Sequence, residues 1–358
     1  MSIRLREQDT IAVLAIPPAS GADMKLIIQI PCLNEAQTLP ATLADLPRRI
    51  DGVDAIEVLV IDDGSDDGTA EIAQSLGVHH LVRHTTNRGL GRAFRSGLDR
   101  ALNEGADIIV NTDGDGQYCG ASIAALIKPI LEGRADIVIG DRKTADNPEF
   151  GKTRKFLQWL GSHVVRSLSG VNVPDAVSGF RAISRQAALR LNVLSAFSYT
   201  IEMIIQAGNK QMTVLSVPVD TNPKTRESRL FRNVPQFISR QLVAMLRMYA
   251  MYRPMRFFFY LGSLLCVIGL VPVLRFLLAY WAGDGDGHVQ SLVLGGALLT
   301  MGFLVFVSGL LSDLISQNRQ LSEITLEKVR AIELTLSDRL TARERGASAE
   351  KTSDFPKK

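Results

Sequence analysis

Between residues 24 and about 220, short apolar runs alternate with stretches whose apolar positions recur at helical spacing. Runs at 25–30, 56–61, 79–83, 106–111 and 135–139 read as strands. Helical patterns over 36–50, 68–76, 89–104 and 120–132 lie between them. This alternation predicts βα units, hence an α/β fold around a mainly parallel sheet covered on both faces. Such sheets bind ligands beyond the carboxyl ends of their strands. The polar motifs fall at those ends: Pro31-Cys32-Leu33-Asn34-Glu35, then Asp62-Asp63-Gly64-Ser65, then Thr112-Asp113-Gly114-Asp115-Gly116-Gln117. Charges placed only for solubility would be scattered over both edges of the sheet.

The second half follows another pattern. From Lys224 to Arg256, basic residues interleave with Phe237, Leu242, Met245, Leu246, Tyr249 and Met251 at helical spacing. A basic amphipathic helix of this kind suits a membrane surface and is expected over 233–256. Phe257 to Trp281 is then an apolar run interrupted by Arg275, and Val289 to Ile315 is a second, with Asp313 close to its end. Each run exceeds the roughly 20 residues that cross a bilayer core, so a two-helix transmembrane hairpin is expected over 257–316. The connector 282–288 carries no Lys or Arg, whereas basic residues precede the first run and follow the second. That asymmetry puts both ends in the cytoplasm, at the inner (plasma) membrane.

Beyond it, Leu326, Val329, Ile332, Leu336 and Leu340 form a stripe within 317–342. The stripe fits either a coiled coil between subunits of a homo-oligomer or a helix packed on the α/β domain. Residues 343–358 read as a polar, disordered tail, and residues 1–23 as a loose extension without a secretory leader.

Composition narrows the function classes. With 46% hydrophobic and 22% charged residues the chain is neither disordered nor fibrous. A net charge of +3 argues against a dedicated nucleic-acid binder. The three cysteines and five histidines show no metal-ligand spacing. Gly89-Leu90-Gly91 lacks the third glycine of a dinucleotide fingerprint and does not follow the first strand.

The chemistry lies in the carboxylates. Asp113 and Asp115, one residue apart at a strand end, are expected to point the same way and repel each other unless a cation sits between them. Mg²⁺ or Mn²⁺ on a diphosphate fits, because hard cations bridge one or two carboxylates to substrate phosphates. Arg142 ends the fifth strand near the same edge, and Arg154 and Lys155 follow. Cations so placed suit a phosphate, which Arg grips with two parallel hydrogen bonds. Asp175 and Glu202 are the remaining acidic candidates, the first to orient the site and the second as a structural partner of a basic residue.

Pro31-x-Leu33-Asn34-Glu35, Asp62-Asp63-Gly64-Ser65-x-Asp67-Gly68-Thr69, Asn87-x-Gly89, Asp113-x-Asp115-x-Gln117 and Ser178-Gly179-Phe180-Arg181 stand in this order in the chain. In these motifs the chain resembles family 2 glycosyltransferases, and most of all their polyprenyl-phosphate branch. The resemblance covers about residues 24–232. It implies a GT-A (Rossmann-like) cytoplasmic catalytic domain and metal-dependent, inverting transfer from a nucleotide sugar to a polyprenyl phosphate. It further implies that Pro31, Leu33, Asn34 and Glu35 line the base and ribose pocket, and that Asp62 or Asp63 contacts base or ribose. Asp113, Asp115 and Gln117 would hold the metal, while Arg226 and Arg229 would close over the donor phosphates. Arg142, Arg154 and Lys155 would hold the acceptor phosphate, with Gln158 standing where the family often has a serine. A processive polysaccharide synthase would carry Gln-x-x-Arg-Trp, which is absent, and more spans. A non-catalytic scaffold would not need the intact Asp113, Asp115 and Gln117 set.

Overall fold

A computed structural model describes residues 23–142, 165–166, 169–193, 199–222, 246–247, 249–283 and 289–353. Five strands follow the expected runs: β1 (Lys25–Cys32), β2 (Ala55–Asp62), β3 (His80–Arg83), β4 (Ile108–Asn111) and β5 (Ile137–Asp141). Two more, β6 (Arg181–Ser184) and β7 (Val214–Pro218), complete a sheet of order β3-β2-β1-β4-β6-β5-β7. All neighbours pair in parallel except β6, which runs antiparallel between β4 and β5. The GT-A reading of an α/β domain with a mainly parallel sheet therefore holds.

Alternation along the strands sorts the core into two layers. Ile27, Ile61, Ile109, Ile139 and Ile183 pack on one side with Phe94, Leu98 and Met203. Ile28, Val60, Val110, Val138 and Ala182 pack on the other with Leu39, Ile123, Leu126 and Ile127. Both faces are covered, which is why β1 and β4 are buried almost throughout and not at every second residue. The first layer includes α3 (Leu90–Asn103), which follows α1 (Leu39–Ala44) and α2 (Thr69–Ser75) in the chain. The second includes α4 (Ser122–Leu131).

Several elements differ from the expectation. The helix expected over 36–50 shrinks to α1, because Asn34 turns the chain at φ 55°, Pro40 starts the helix and Pro47 forbids its continuation. Strand β5 lies two residues further on than its apolar run. Strand β6 went unforeseen because its first residue is a fully buried arginine that hides the apolar pattern. Two short helices, α5 (Arg185–Arg190) and α6 (Tyr199–Asn209), flank that region.

At the C-terminus, α7 (Pro254–Trp281) and α8 (Val289–Ser353) form an antiparallel pair, and each is long and apolar enough to cross a membrane. Helix α8 is continuous, so the apolar run at 289–315 and the segment 317–342 belong to one helix, and the backbone of residues 343–353 is helical too. Beyond its apolar stretch α8 packs on the α/β domain, but mostly not through the stripe read from sequence. Val329, Ile332 and Leu336 are exposed, while Glu323, Glu327, Arg330 and Leu334 face the domain. The interfacial segment 233–256 lies mostly outside the described residues, as do 1–22.

The two apolar helices meet along glycines at seven-residue spacing: Gly262 and Gly269 on one, Gly295, Gly302 and Gly309 on the other. A methyl on Gly302 would lie 2.5 Å from Cys266 Sγ, and one on Gly295 would lie 2.8 Å from the Gly269 carbonyl oxygen. Small residues let helix backbones approach where lipid supplies no hydrophobic drive. Gly296, one residue along, faces open space. Gly302→Leu is therefore expected to destabilise the hairpin by about 1–3 kcal/mol through overpacking. Gly296→Leu is the control that leaves it intact, with thermal unfolding in detergent as the measurement.

Candidate functional site: an acidic turn between two loop brackets

The turns after β1 and β2 are tied to each other. Asn34 donates its N–H to Ser65 Oγ at 2.9 Å and accepts the Asp66 N–H on Oδ1 at 3.1 Å. Glu35 N–H donates to Thr69 Oγ1 at 3.0 Å, and Ala36 N–H to Asp67 Oδ2 at 3.0 Å. Gly64 sits at φ 78°, where a methyl would collide with the Thr86 carbonyl carbon at 2.6 Å, so this position requires glycine. Four of the motif residues, Asn34, Ser65, Asp67 and Thr69, thus fasten one loop to the other.

The two adjacent acids at the end of β2 take different partners. Asp63 accepts from His84 Nδ1 at 2.7 Å, Arg88 N–H at 3.0 Å and Gly89 N–H at 2.8 Å, so its carboxylate holds the Asn87-x-Gly89 loop. His84 in turn meets Ser96 Oγ on α3 at 3.0 Å. Asp62 accepts the Ser65 N–H on Oδ1 at 3.0 Å, while its fully buried Oδ2 has only the Arg83 Nε, at 3.4 Å, nearby. An open depression of about 210 Å³ lies beside this pair, lined by Gly64, Ser65, Arg83, His84 and Thr85.

Asp113 and Asp115 lie in the turn beyond β4 rather than on the strand itself, which ends at Asn111. Their placement comes largely from residues outside the quoted motifs. Gln29 on β1 donates Nε2 to Asn111 Oδ1 at 2.9 Å, and Asn111 Nδ2 donates to the Gly179 carbonyl and to Tyr199 Oη, both at 2.9 Å. Gly179 in turn backs onto Asp113: a methyl there would lie 2.9 and 3.1 Å from the two carboxylate oxygens. On the other side, Thr38 and Thr42 of the first loop and α1 donate to the Gly114 carbonyl at 2.9 and 3.2 Å. A methyl on Gly114 would meet Cys32 Sγ at 2.9 Å. Asp115 Oδ1 accepts the Gln117 N–H at 3.0 Å. Asn222, just past β7, splints the turn by donating its N–H to the Gln117 carbonyl at 2.8 Å and Nδ2 to the Gly116 carbonyl at 3.0 Å.

The electrostatics of the turn are strained. Burial, then the charges of Asp115 and Glu35, push the Asp113 carboxyl up to about 7, although Arg142 and Arg181 oppose the rise. Two carboxylates in a shared field ask for a cation. Among the described residues no set of three or more His, Cys, Asp or Glu closes round a metal point. The turn offers part of a ligand shell only. That fits an ion whose remaining ligands come from a phosphate substrate and water.

Arg142, at the end of β5, is gripped by Asp175, Nε to Oδ2 at 2.7 Å and Nη2 to Oδ1 at 3.1 Å. Asp175 is fully buried and the Arg142 side chain is 18% exposed. The segment carrying Asp175 is itself pinned by Arg181. That guanidinium is wholly buried and donates to the carbonyls of Ala176, Ser178 and Thr200 at 2.7–2.8 Å. Burial lowers it to about 10, so it remains charged at neutral pH. Tyr118 closes the bracket, accepting the Gly179 N–H on its hydroxyl at 3.1 Å and stacking on Phe180 at 4.9 Å. Glu202 is buried in α6 beside Gln206. Arg154, Lys155, Arg226 and Arg229 lie outside the described residues.

Comparison with known proteins identifies the family. The profile of glycosyl transferase family 2 matches residues 27–191. Undecaprenyl-phosphate mannosyltransferase of Micrococcus luteus is 30% identical over 206 residues, covering 55% of this chain and 83% of that protein. Polyprenol monophosphomannose synthase of Mycolicibacterium smegmatis is 27% identical, covering 57% and 79%. Glycosyltransferase AglJ of Haloferax volcanii is 30% identical over 299 residues, covering 80% of this chain and 92% of its own. A match of that length reaches past the α/β domain into the apolar helices. The chain is an enzyme of glycosyltransferase family 2 and belongs to its polyprenyl-phosphate branch.

Proposed function

We propose that the enzyme transfers a hexose from a nucleotide sugar to a polyprenyl phosphate at the cytoplasmic face of the inner membrane, with inversion and with a divalent cation. One observation carries the reading. The segment 175–181 touches both halves of the chemistry, since Gly179 backs onto Asp113 while Asp175 grips Arg142. The names of the relatives, which include undecaprenyl-phosphate and polyprenol acceptors, support the acceptor class. UDP-glucose is the first donor to test, from the two-span architecture, and GDP-mannose the next, from the sugar named in two relatives.

The residues divide the work. The loops bearing Pro31, Leu33, Asn34 and Glu35 and the Asp62–Asp63 turn form the nucleoside side. Since Asp63 is spent on the Asn87-x-Gly89 loop, base or ribose recognition is assigned to Asp62. Asp113 and Asp115, with Gln117 beside them, would hold Mg²⁺ or Mn²⁺. The bound cation would neutralise the charge that develops on the leaving diphosphate. Arg142, held side-on by Asp175, presents its guanidinium to the acceptor phosphate, with Arg154 and Lys155 as further cations. An acceptor oxygen attacks the anomeric carbon, the carbon–oxygen bond to the diphosphate breaks, and the nucleoside diphosphate leaves with the bonding pair. Phosphate is already ionised at neutral pH, so the step needs no strong general base, and none of the quoted motifs contains a histidine.

The direct test is release of nucleoside diphosphate on adding polyprenyl phosphate with Mg²⁺ or Mn²⁺. Asp115→Asn is expected to lower turnover by a factor of at least about 10² while the protein stays folded. Unchanged turnover would remove Asp115 from the metal site.

A second expectation concerns pH. Asp113 titrates at about 7, above an ordinary aspartate, so its ionised form is disfavoured in the folded protein. Without metal, the stability that its protonated form provides is lost as pH rises from the unfolded value through about 7. Added Mn²⁺ should restore the melting temperature above that pH and have little effect below it. A metal-free melting temperature that rises steadily across the same interval would contradict the assignment.

Asp175→Asn and Arg142→Lys should each raise the acceptor KM more than they alter donor binding. Combined, they should cost less than the product of the single effects, because each removes the same bidentate contact. Steady-state kinetics on the double-mutant cycle checks this.

A further inference from the structure

Helix α8 does more than return the chain from the membrane. After the apolar stretch it continues unbroken and lies along the back of the α/β domain. The first joint is at the membrane side. Ser316 Oγ donates to the Met251 carbonyl at 3.2 Å, and Arg319 Nη2 donates to Tyr252 Oη at 3.0 Å with its guanidinium over that ring at 5.0 Å. Arg319 also donates Nε to Glu323 at 2.9 Å, and Glu323 faces Lys210 beyond α6 at 3.5 Å. These groups are shielded, with side-chain exposures of 21% for Arg319, 11% for Glu323 and 17% for Lys210.

The second joint is farther along. Glu327 meets Arg190 on α5 at 3.7 Å. Arg330 donates to the Leu191 carbonyl at 3.1 Å and pairs with Asp99 on α3 at 3.4 Å. Leu334 enters the core layer that holds Phe94 and Tyr199. From Ser316 to Leu334 a straight helix spans about 27 Å. A single exposed ion pair contributes little. This row is different: it is partly buried, spread over both joints, and ends in a core leucine. It also bears on the two helices, α3 and α6, whose Phe94 and Tyr199 stack at 3.9 Å behind the site.

We propose that α8 is a rigid strut that fixes the height and tilt of the active site above the bilayer, with Arg319, Glu323 and Arg330 as positioning residues for a membrane-embedded acceptor. The inference rests on the polyprenyl-phosphate reading only in assuming that the acceptor phosphate lies at the membrane surface. A lipid-linked phosphate can move along the bilayer but not far out of it, so a tilted or raised site misses it. Misplacement of about 1 Å in a reacting complex costs up to about 10²-fold in rate. A water-soluble acceptor diffuses to the site from any direction and imposes no such demand.

The test uses the full-length enzyme in phospholipid vesicles, with the combined variant Glu323→Ala/Arg330→Ala. Glu333→Ala, on the exposed side of the same helix, is the control. Two acceptors are compared: long-chain polyprenyl phosphate in the vesicle, and a short-chain, water-soluble prenyl phosphate. The combined variant should lose about tenfold in kcat/KM for the embedded acceptor and keep its rate on the soluble one, and Arg330→Lys should behave as wild type. Energy transfer from a dye on the α/β domain to labelled headgroups should show a narrow height distribution in the wild type and a broad one in the combined variant. Equal rates on both acceptors, parallel loss on both, or an unchanged height distribution would each overturn the strut. Wild-type enzyme that transfers to neither acceptor would overturn the acceptor assignment instead, and the height measurement would then decide the strut alone.

Discussion

The site depends on keeping negative charge where the fold resists it. Burial, and then the charges of Asp115 and Glu35, push the Asp113 carboxyl up to about 7. Nothing local to the turn would keep three carboxylates together. The surrounding frame does so through neutral hydrogen bonds. Thr38 and Thr42 clamp the Gly114 carbonyl, Asn222 splints Gly116 and Gln117, and Asn111 ties Gly179 and Tyr199 behind Asp113. In the proposed function a cation with a diphosphate would relieve the repulsion, so affinity for the metal–donor complex would be stored in the folded state.

The same frame separates two roles that a motif blends together. Asp62 and Asp63 are adjacent and acidic, yet one is fully committed to His84 and the backbone of the next loop while the other keeps a buried oxygen without a hydrogen bond. Arg142 and Arg181 are likewise both arginines near one carboxylate. Arg181 spends its donors on three carbonyls and is fully buried, whereas Arg142 is turned by Asp175 and keeps some exposure. One fastens the bracket and the other is presented by it.

Periodicity made the layered half of the fold legible. β1, β2 and β4, with α3 and α4, are buried by alternation or by a helical stripe, and those patterns survive in the letters. The acidic turns were legible for the same reason, since strand ends locate them. Strand β6 was hidden by Arg181, a charge in the core that only its three carbonyl partners explain. Asn111, Tyr199 and Asn222 were hidden because each acts across long sequence separations, and no local spacing encodes such a contact. The stripe on α8 was visible, but the helix binds the domain with its other face. Hydrophobic periodicity gives no weight to a row of charges that pair across an interface.

The α/β domain and the apolar hairpin are joined by contacts of two different kinds. Glycines set the hairpin's seam by letting two backbones touch, a contact that needs no water to drive it. Past its apolar stretch, α8 is attached instead by partly buried ion pairs and one core leucine. Ion pairs with fixed partners define register along a helix better than a smooth apolar face, which tolerates sliding. An enzyme whose acceptor is confined to a plane needs register more than affinity at that junction, and the distribution of residue types along α8 follows from it.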